Sequence, residues 1–495
     1  MKTLLKLTVA LSMLLPCFAY ASTLEEGLRL FKDEEYEDAA LTLYSVLQND
    51  PNPDNRDQAI IYLGETLVRM DLLVPGLFYF QNIFEVGRAN RYYLNAIEGL
   101  MTVQEKLHDQ LLVPTLFDNN LDPKGFGQLD SGRIAKVNFM IGQLKYRQGK
   151  KREAKAYLSA VGSENRFIWA KSKYLLGLLA AKEQRDEDSI AEFQAVLDGI
   201  PANSIIEQET RIRNLAQVAI GRQLYGLERY EESAAAYANV PRFSEAWFSS
   251  MYEGAWAYYK QENYGRALGE LHSVTSPYFT SFFIPEAYVI QGITYFVNCQ
   301  WDRVRRAVET YKSTYSPVKV SLNEYLGTNK ESAKSYYEDV VSLGGGIPAE
   351  VARDVRKSFK FREYHYMLEH MKWESRKVAA VSEWSNSRLA DDLMAVIEDN
   401  LSGFETLVGN WTKGQIGARL DSLKNFESQI DLIDLEVSEA EVTWLDAGRE
   451  TLKGRRARLP RPDIESDQWQ HWSFRQEYWK GELGYFQHSI RSECE

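Results

Sequence analysis

The feature that most limits this chain is a pattern that recurs about every 33 to 44 residues: a small residue on one short helical stripe, a polar turn, then a second stripe. Ser244 to Val274 shows it plainly. Gly254, Ala255 and Tyr258 share one helical face, Lys260 to Asn263 form a polar turn, and Tyr264, Ala267, Leu271 and Val274 follow at spacings of three, four and three. That is helical periodicity, not strand alternation. A helix pair of this size cannot bury its own apolar face, so neighbouring pairs must stack. The expected fold is therefore all-α and quasi-linear, made of about seven to eight stacked pairs.

Related units run along the first two thirds of the chain. The first has Gly27 and Leu30, then Tyr36, Ala39, Leu43 and Val46, closed by Pro51. Gly64 and Leu67 followed by Gly76, Phe80 and Ile83 mark the second, and Tyr93, Ala96 and Gly99 open a degenerate third. The stretch Asp118 to Asp130, rich in Asn, Asp, Gly and Pro, reads as an inserted loop. Regular units resume at Gly142, Gly177, Gly221, Gly254 and Gly292, with Pro317 expected to end the array. A small residue on each helix lets the two axes approach, and aromatic side chains fill the space beside them.

This order of small, aromatic, small, aromatic and Pro resembles the tetratricopeptide repeat family over roughly Ser22 to Pro317, although the family's leading Trp is mostly missing. The resemblance implies a right-handed superhelix of helix pairs whose inner groove, lined by the first helix of each pair, binds peptides or partner proteins. Carried over by position, the groove residues are Tyr174, Arg222, Tyr225, Tyr252, Trp256, Tyr259 and Phe296. Aromatic and Arg side chains dominate binding hot spots. The same residues also suit space-filling between units. The irregular, aromatic character of the units is similar to that of exported repeat proteins of the Gram-negative envelope.

The N-terminus has the form of a secretory signal. Lys2 and Lys6 precede a short apolar run, Leu7 to Leu15, and Ala19-Tyr20-Ala21 places a cut before Ser22. The run is too short to anchor in a bilayer. Lipidation at Cys17 is the rival reading. Residues 22–317 then form the array, 318–348 a connector, 349–453 a helical hairpin and 454–495 a linker and tail. Cleavage removes two Lys and takes the formal charge from −12 to −14. Such a balance opposes nucleic acid, whose phosphates need a basic face, and selects against acidic partners. The expected location is the periplasm. Two cysteines remain, Cys299 and Cys494, and an oxidising compartment makes them either a disulfide or two separate buried thiols.

Beyond Pro317 the period changes. Glu331 to Leu343 forms a short helix ended by three glycines, and Pro348 opens a stretch with neither Gly nor Pro as far as Ser402. Leu423, Phe426, Ile430, Ile433, Val437, Ala440, Trp444 and Ala447 make a heptad seam. An earlier stripe, Leu393, Ile397, Leu401, Phe404 and Val408, is its expected partner in an antiparallel coiled-coil hairpin projecting from the array. The turn is placed at Ser385 to Ser387 or at Gly409 to Gly414, and a coiled coil between two chains is the alternative arrangement. Lys453 to Arg461 is a basic linker. The tail carries Trp469, Trp472, Phe474, Tyr478, Trp479, Tyr485 and Phe486, expected to dock on the array. Its phrase FRQEYWKGELGYF is loosely similar to a C-terminal motif of envelope repeat proteins near motor or transport systems.

Nothing in the sequence marks a catalytic, cofactor or metal site. His365 and His370 lie five apart, which turns them to different faces of a helix. Gly344 to Gly346 runs into Ile347 and Pro348 rather than a phosphate-binding Lys, and there is no Gly-x-Ser-x-Gly elbow. The expected function is a non-catalytic periplasmic scaffold that holds a peptide or protein in the repeat groove within an envelope complex: a motor, transport, secretion or outer-membrane assembly system. The competing class is an accessory enzyme of cell-wall or polysaccharide metabolism whose site is assembled from residues distant in sequence.

Overall fold

The structure is a computed structural model, and it describes residues 23–120, 129–280, 282–328, 330, 332–446, 470 and 477–494. The signal peptide with Cys17, positions 121–128 of the loop, the basic linker, Trp469, Trp472 and Phe474 lie outside the described residues. Among the described residues the regular structure is entirely helical.

Eight helix pairs follow one another. They are α1 (Leu24–Lys32) with α2 (Tyr36–Asn49), α3 (Pro53–Arg69) with α4 (Leu73–Val86), and α5 (Tyr93–Leu107) with α6 (Leu112–Asn119). Next come α7 (Ser131–Arg147) with α8 (Lys151–Ser159), α9 (Arg166–Lys182) with α10 (Asp186–Gly199), and α11 (Glu207–Gly226) with α12 (Tyr230–Ala238). Then follow α13 (Trp247–Lys260) with α14 (Tyr264–Val274) and α15 (Glu286–Phe296) with α16 (Trp301–Gly327). The remaining helices are α17 (Lys334–Ser342), α18 (Ala349–Lys357), α19 (Phe359–Ala380) and α20 (Arg388–Asp446).

Each pair closes through the same turn. One residue takes a left-handed conformation at Glu34, Asp71, His108, Gly149, Gln184, Glu228, Glu262 and Cys299, with φ between 52° and 74°. The next residue's N–H returns to a carbonyl five residues back, for example Arg185 to Ala180 (3.0 Å) and Asn263 to Tyr258 (2.9 Å). This is the helix-ending motif that glycine usually serves. Here only one of the eight positions is glycine, so the turns are invisible to a search for Gly.

Within five of the pairs one contact recurs. The first-helix glycine meets a large side chain sixteen residues on, and a small residue twelve residues on sits against its backbone. A Cβ on Gly177 would lie 2.5 Å from Phe193 Cε1, and one on Gly221 would lie 2.8 Å from the Tyr237 ring. Ser189 Oγ donates to the Gly177 carbonyl at 2.9 Å, and Ser233 Oγ to the Gly221 carbonyl at 2.8 Å. Gly27 with Leu43, Gly64 with Phe80 and Gly142 with Leu158 repeat the contact. The other three pairs depart from it: a Cβ on Gly99 would meet Phe80 of α4 at 2.4 Å, and one on Gly254 would meet Tyr237 of α12 at 3.4 Å. A Cβ on Gly292 would face Ile433 of α20 at 3.4 Å, so that glycine clears the C-terminal helix rather than α16.

The chain divides into two compact units, Met1–Lys106 with Met371–Glu398, and Leu107–His370 with Asp399–Glu495. In the first, the turn between α19 and α20 seats on the opening pairs. Trp384 is fully buried and donates from Nε1 to the Glu37 carbonyl at 2.9 Å. The buried Glu374 carboxylate accepts the N–H groups of Leu73 and Val74 (3.1 Å for the latter), which caps α4 where the helix dipole favours negative charge. Lys377 Nζ reaches the Met70 carbonyl at 2.7 Å.

In the second unit α20 lies along α15 and α16. Tyr311 donates to the Leu423 carbonyl at 3.1 Å, and Lys312 pairs with Asp431 (3.0 Å) and Asp434 (3.1 Å). The α19–α20 hairpin is antiparallel, with Tyr364 against Phe404 and Trp411 at ring distances of 5.4 and 5.6 Å.

Three expectations are corrected here. Pro317 does not end the array: it lies inside α16, whose buried stripe continues through Val318, Leu322 and Tyr325. Of the two places expected for the hairpin turn, Ser385 to Ser387 lies within the observed turn at 381–387 and Gly409 to Gly414 does not, because Gly409 is inside α20 where the Ala333 carbonyl would stand 2.1 Å from a Cβ. The heptad seam and the earlier stripe share one helix, so they are not partners. The seam buries against the array, and the hairpin does not project free of it.

These contacts predict opposite outcomes for two substitutions. Gly177→Ala drives a methyl into Phe193 and lowers stability by about 1–3 kcal/mol. Glu262→Gly relieves a left-handed residue and, net of glycine's greater freedom in the unfolded chain, raises stability by about 0.5–1 kcal/mol. Urea melts of the two variants check both signs.

Candidate functional site

The predicted groove residues fall on the first helices of four consecutive pairs: Tyr174 on α9, Arg222 and Tyr225 on α11, Tyr252, Trp256 and Tyr259 on α13, and Phe296 at the end of α15. Arg222 is exposed and the other six are half-buried. Successive first helices are joined by carboxylates that the sequence reading did not single out. Arg222 grips Glu253 of α13 with two bonds, Nε to Oε2 at 2.6 Å and Nη2 to Oε1 at 2.5 Å, and Tyr237 donates to the same carboxylate at 3.1 Å. One junction further, Glu286 at the start of α15 accepts the Tyr252 hydroxyl and Trp256 Nε1 (3.1 Å).

The electrostatics follow from this geometry. The hydrogen bonds from Glu253 hold the Arg222 guanidinium above its ordinary range. Burial, reinforced by Glu286, pushes the Tyr252 hydroxyl well up, and burial with Glu253 does the same to Tyr237. Both phenols stay protonated donors at any physiological pH. The polar edges of Tyr252 and Trp256 are committed to Glu286, which leaves their rings to shape the surface. Trp256 stands edge-on to Tyr259 (5.9 Å), Tyr259 tilts onto Tyr264 (5.8 Å), and Tyr225 meets Tyr230 edge-on (5.4 Å). Tyr174 packs on Phe193 at 5.4 Å. Phe296 takes part in neither carboxylate junction.

The same unit contains a second set of contacts, made from α18 into α19 with α11 and with the loops before α13 and α15 and between α5 and α6. Lys357 lies over Phe282 (3.4 Å), Phe359 under Arg211 (4.0 Å), Arg362 pairs with Glu245 (2.7 Å), Glu363 accepts from Gln110, and Tyr366 meets His108 (5.4 Å between rings). Arg211 lies in the first turns of α11 and Glu245 just before α13, whereas Tyr225, Trp256, Tyr259 and Phe296 belong to the ends of α11, α13 and α15. Sequence reasoning missed these contacts. Periodicity reports that α19 has apolar faces but not which surface they meet.

The tail is the third functional feature. Cys299, the left-handed residue of the eighth turn, is bonded to Cys494, with Cα atoms 5.0 Å apart. Between Glu477 and Cys494 the chain lies along α14 as an extended strap. His488 N–H donates to the Gly265 carbonyl (3.0 Å), Gly484 N–H to Ser273 Oγ (2.8 Å), and Glu493 N–H to the Asn298 carbonyl (2.9 Å). The Phe486 carbonyl would stand 1.8 Å from a Cβ on Gly269, so only glycine fits there. The buried anchor is Leu483, beside Trp247 and Met251, while Trp479 and Tyr485 are 60% and 55% exposed. Among the described residues no group of three or more His, Cys, Asp and Glu is placed to hold a metal ion, and no helix is long and apolar enough to cross a membrane.

No protein-family model matches the chain, and no curated protein matches it. Solved structures do. The chain is similar to the apo form of RapI (11% identity, 76% of this chain and 95% of that one, TM-score 0.35). It is also similar to a Rap protein complexed with competence and sporulation factor (10%, 77% and 98%, 0.30) and to a tetratricopeptide repeat protein from Parabacteroides merdae ATCC 43184 (13%, 59% and 91%, 0.25). The assignment of an all-α array of helix pairs rests on the eight repeated turns and glycine contacts described above.

The strap carries a pH prediction. His488 lies near His272 (5.8 Å between rings), with Arg303 and Tyr478 also facing this histidine pair, and burial followed by these cations lowers its pKa from 6.5 to about 4. A depressed histidine contributes docking strength above pH 6.5 and loses it as the pH falls toward 4. Glu270 on α14 works in the opposite sense, since burial raises its pKa to about 7. Protection of the Gly484 and His488 amides, taken relative to the intrinsic exchange rate at each pH, is therefore expected to fall between pH 6 and 4 with the disulfide intact, and His488→Asn should flatten that response.

Proposed function

We propose that this protein is a non-catalytic scaffold whose first-helix face in the second unit binds a peptide or a partner protein. The observation that carries the reading is the pair of carboxylate junctions. Glu253 and Glu286 are consumed by bonds within the array, and beside them at the ends of α11 and α13 lie the exposed Arg222, held by Glu253, and the half-buried rings of Tyr225, Trp256 and Tyr259. Aromatic rings held rigidly by their neighbours, beside a guanidinium, offer large contact area at little entropic cost. The Rap protein to which the chain is similar was solved with a bound factor, which accords with this use of the fold.

The setting we propose is the periplasm, within an envelope complex of motor, transport, secretion or outer-membrane assembly type. The basic and apolar N-terminal run with its small-residue cut site supports export, and a Cys299–Cys494 disulfide suits an oxidising compartment.

A partner that co-purifies stoichiometrically from envelope extract should bind Trp256→Ala with Tyr259→Ala at least 2 kcal/mol more weakly, roughly thirtyfold. A photo-crosslinker at Tyr225 should capture the same partner. An unchanged affinity in the double variant removes this face from the reading. The mature chain recovered from the periplasmic fraction should begin at Ser22.

A further inference from the structure

The contacts of α18 and α19 gather positive charge in an otherwise acidic protein. Most charged groups among them are matched, since Glu245 is shared by Arg211 (3.0 Å) and Arg362 (2.7 Å). At Glu363 the balance fails. This carboxylate interacts electrostatically with Arg147 of α7, Lys171 of α9, Arg211 of α11 and its own neighbour Lys360. Among the described residues Arg147, Lys171 and Lys360 form no ion pair. Arg147 spends a bond on the Gln110 carbonyl (3.2 Å), and Gln110 in turn donates to Glu363. The Lys171 ammonium lies between aromatic rings, 4.7 Å from Phe139 and 5.1 Å from Phe167. Lys360 lies 5.3 Å from Tyr364 and 5.7 Å from Trp411.

Three cations from three helices thus surround one carboxylate. Burial depresses both lysines, and the charge of Arg147 depresses them further. Glu363 itself is raised to about 7 by burial in spite of its cationic neighbours, so near neutrality it neutralises them only in part. An arrangement of this kind is relieved by an additional negative group.

We propose that Arg147, Lys171 and Lys360 form a receptor for the carboxylates of an acidic segment of a partner polypeptide. The proposal rests on the reading that this face binds a partner. Two observations favour a polypeptide over a free anion. The cations are flanked by the half-buried rings of Phe167, Tyr364 and Trp411, which suit the methylene stems of Glu side chains. Lys171 also lies one turn from Tyr174 on α9, which interacts electrostatically with Arg222. An acidic exterior then excludes acidic chains everywhere but here.

The test uses the full mature chain and a fluorescein-labelled peptide of about a dozen residues rich in Glu, with a Lys-rich peptide as control, followed by anisotropy at low and high salt. The Glu-rich peptide should bind, more weakly as salt rises, and the Lys-rich one should not bind at this site. Lys171→Met and Lys360→Met should each weaken binding about tenfold. Glu363→Gln should tighten it several-fold by removing a competing carboxylate, a gain that a misfolded variant cannot imitate. Equal binding by all variants, no binding at low salt, or weaker binding by Glu363→Gln overturns the assignment. Inorganic phosphate that binds as tightly as the peptide overturns the polypeptide part of it. Sensitivity of a captured partner to Trp256→Ala but not to Lys171→Met refutes the acidic segment while leaving the recognition face standing.

Discussion

The contact on which the rest depends is the close approach of a first-helix glycine to a large side chain sixteen residues later. Gly177 against Phe193 and Gly221 against Tyr237 bring two helices near enough for a serine on the second to bond the glycine's own carbonyl. That proximity fixes the rotation of both helices about their axes. Rotation in turn decides which residues of the first helix point toward neighbouring pairs and which remain outside. The Arg222–Glu253 and Trp256–Glu286 junctions are consequences of that setting, because they need consecutive first helices in constant register.

An array of thin pairs has apolar surface left at its last repeat and along its sides. This chain covers that surface with its own C-terminal third. Ile433 fills the space that Gly292 leaves on the last pair, Leu483 plugs the core beside Trp247, and Trp384 is buried at the opening pairs. The Cys299–Cys494 bond holds the strap at the turn of the eighth pair, where a left-handed residue presents its side chain outward.

Charge is distributed to the same end. Carboxylates at helix starts and junctions are held by donors within the array, as Glu374 and Glu286 are, and act as connectors between elements. Arg147, Lys171 and Lys360, which form no ion pair among the described residues, gather about Glu363. A protein with a formal charge of −12 thus keeps a small positive region.

Much of the array was legible in the sequence, because its signals are local. Gly27, Gly64, Gly142, Gly177 and Gly221, each with a partner sixteen residues on, lie within one helix pair, and helical periodicity reports such contacts directly. The eight pairs and the choice of first-helix residues at 222 to 259 follow from them. What only the tertiary structure decided involves separations of a hundred residues or more. Periodicity shows that α19 and α20 have apolar faces but not what those faces meet, so the seam from Leu423 to Val437 was assigned to the wrong partner, and the turn stayed open between Ser385 to Ser387 and Gly409 to Gly414 although Gly409 makes room for a carbonyl. Pro317 failed as a stop for the same reason, since burial of Tyr315, Val318 and Leu322 outweighs one lost backbone bond. The gathering of Arg147, Lys171, Lys360 and Glu363 has no local trace at all, because charges attract through space and leave no period in the chain.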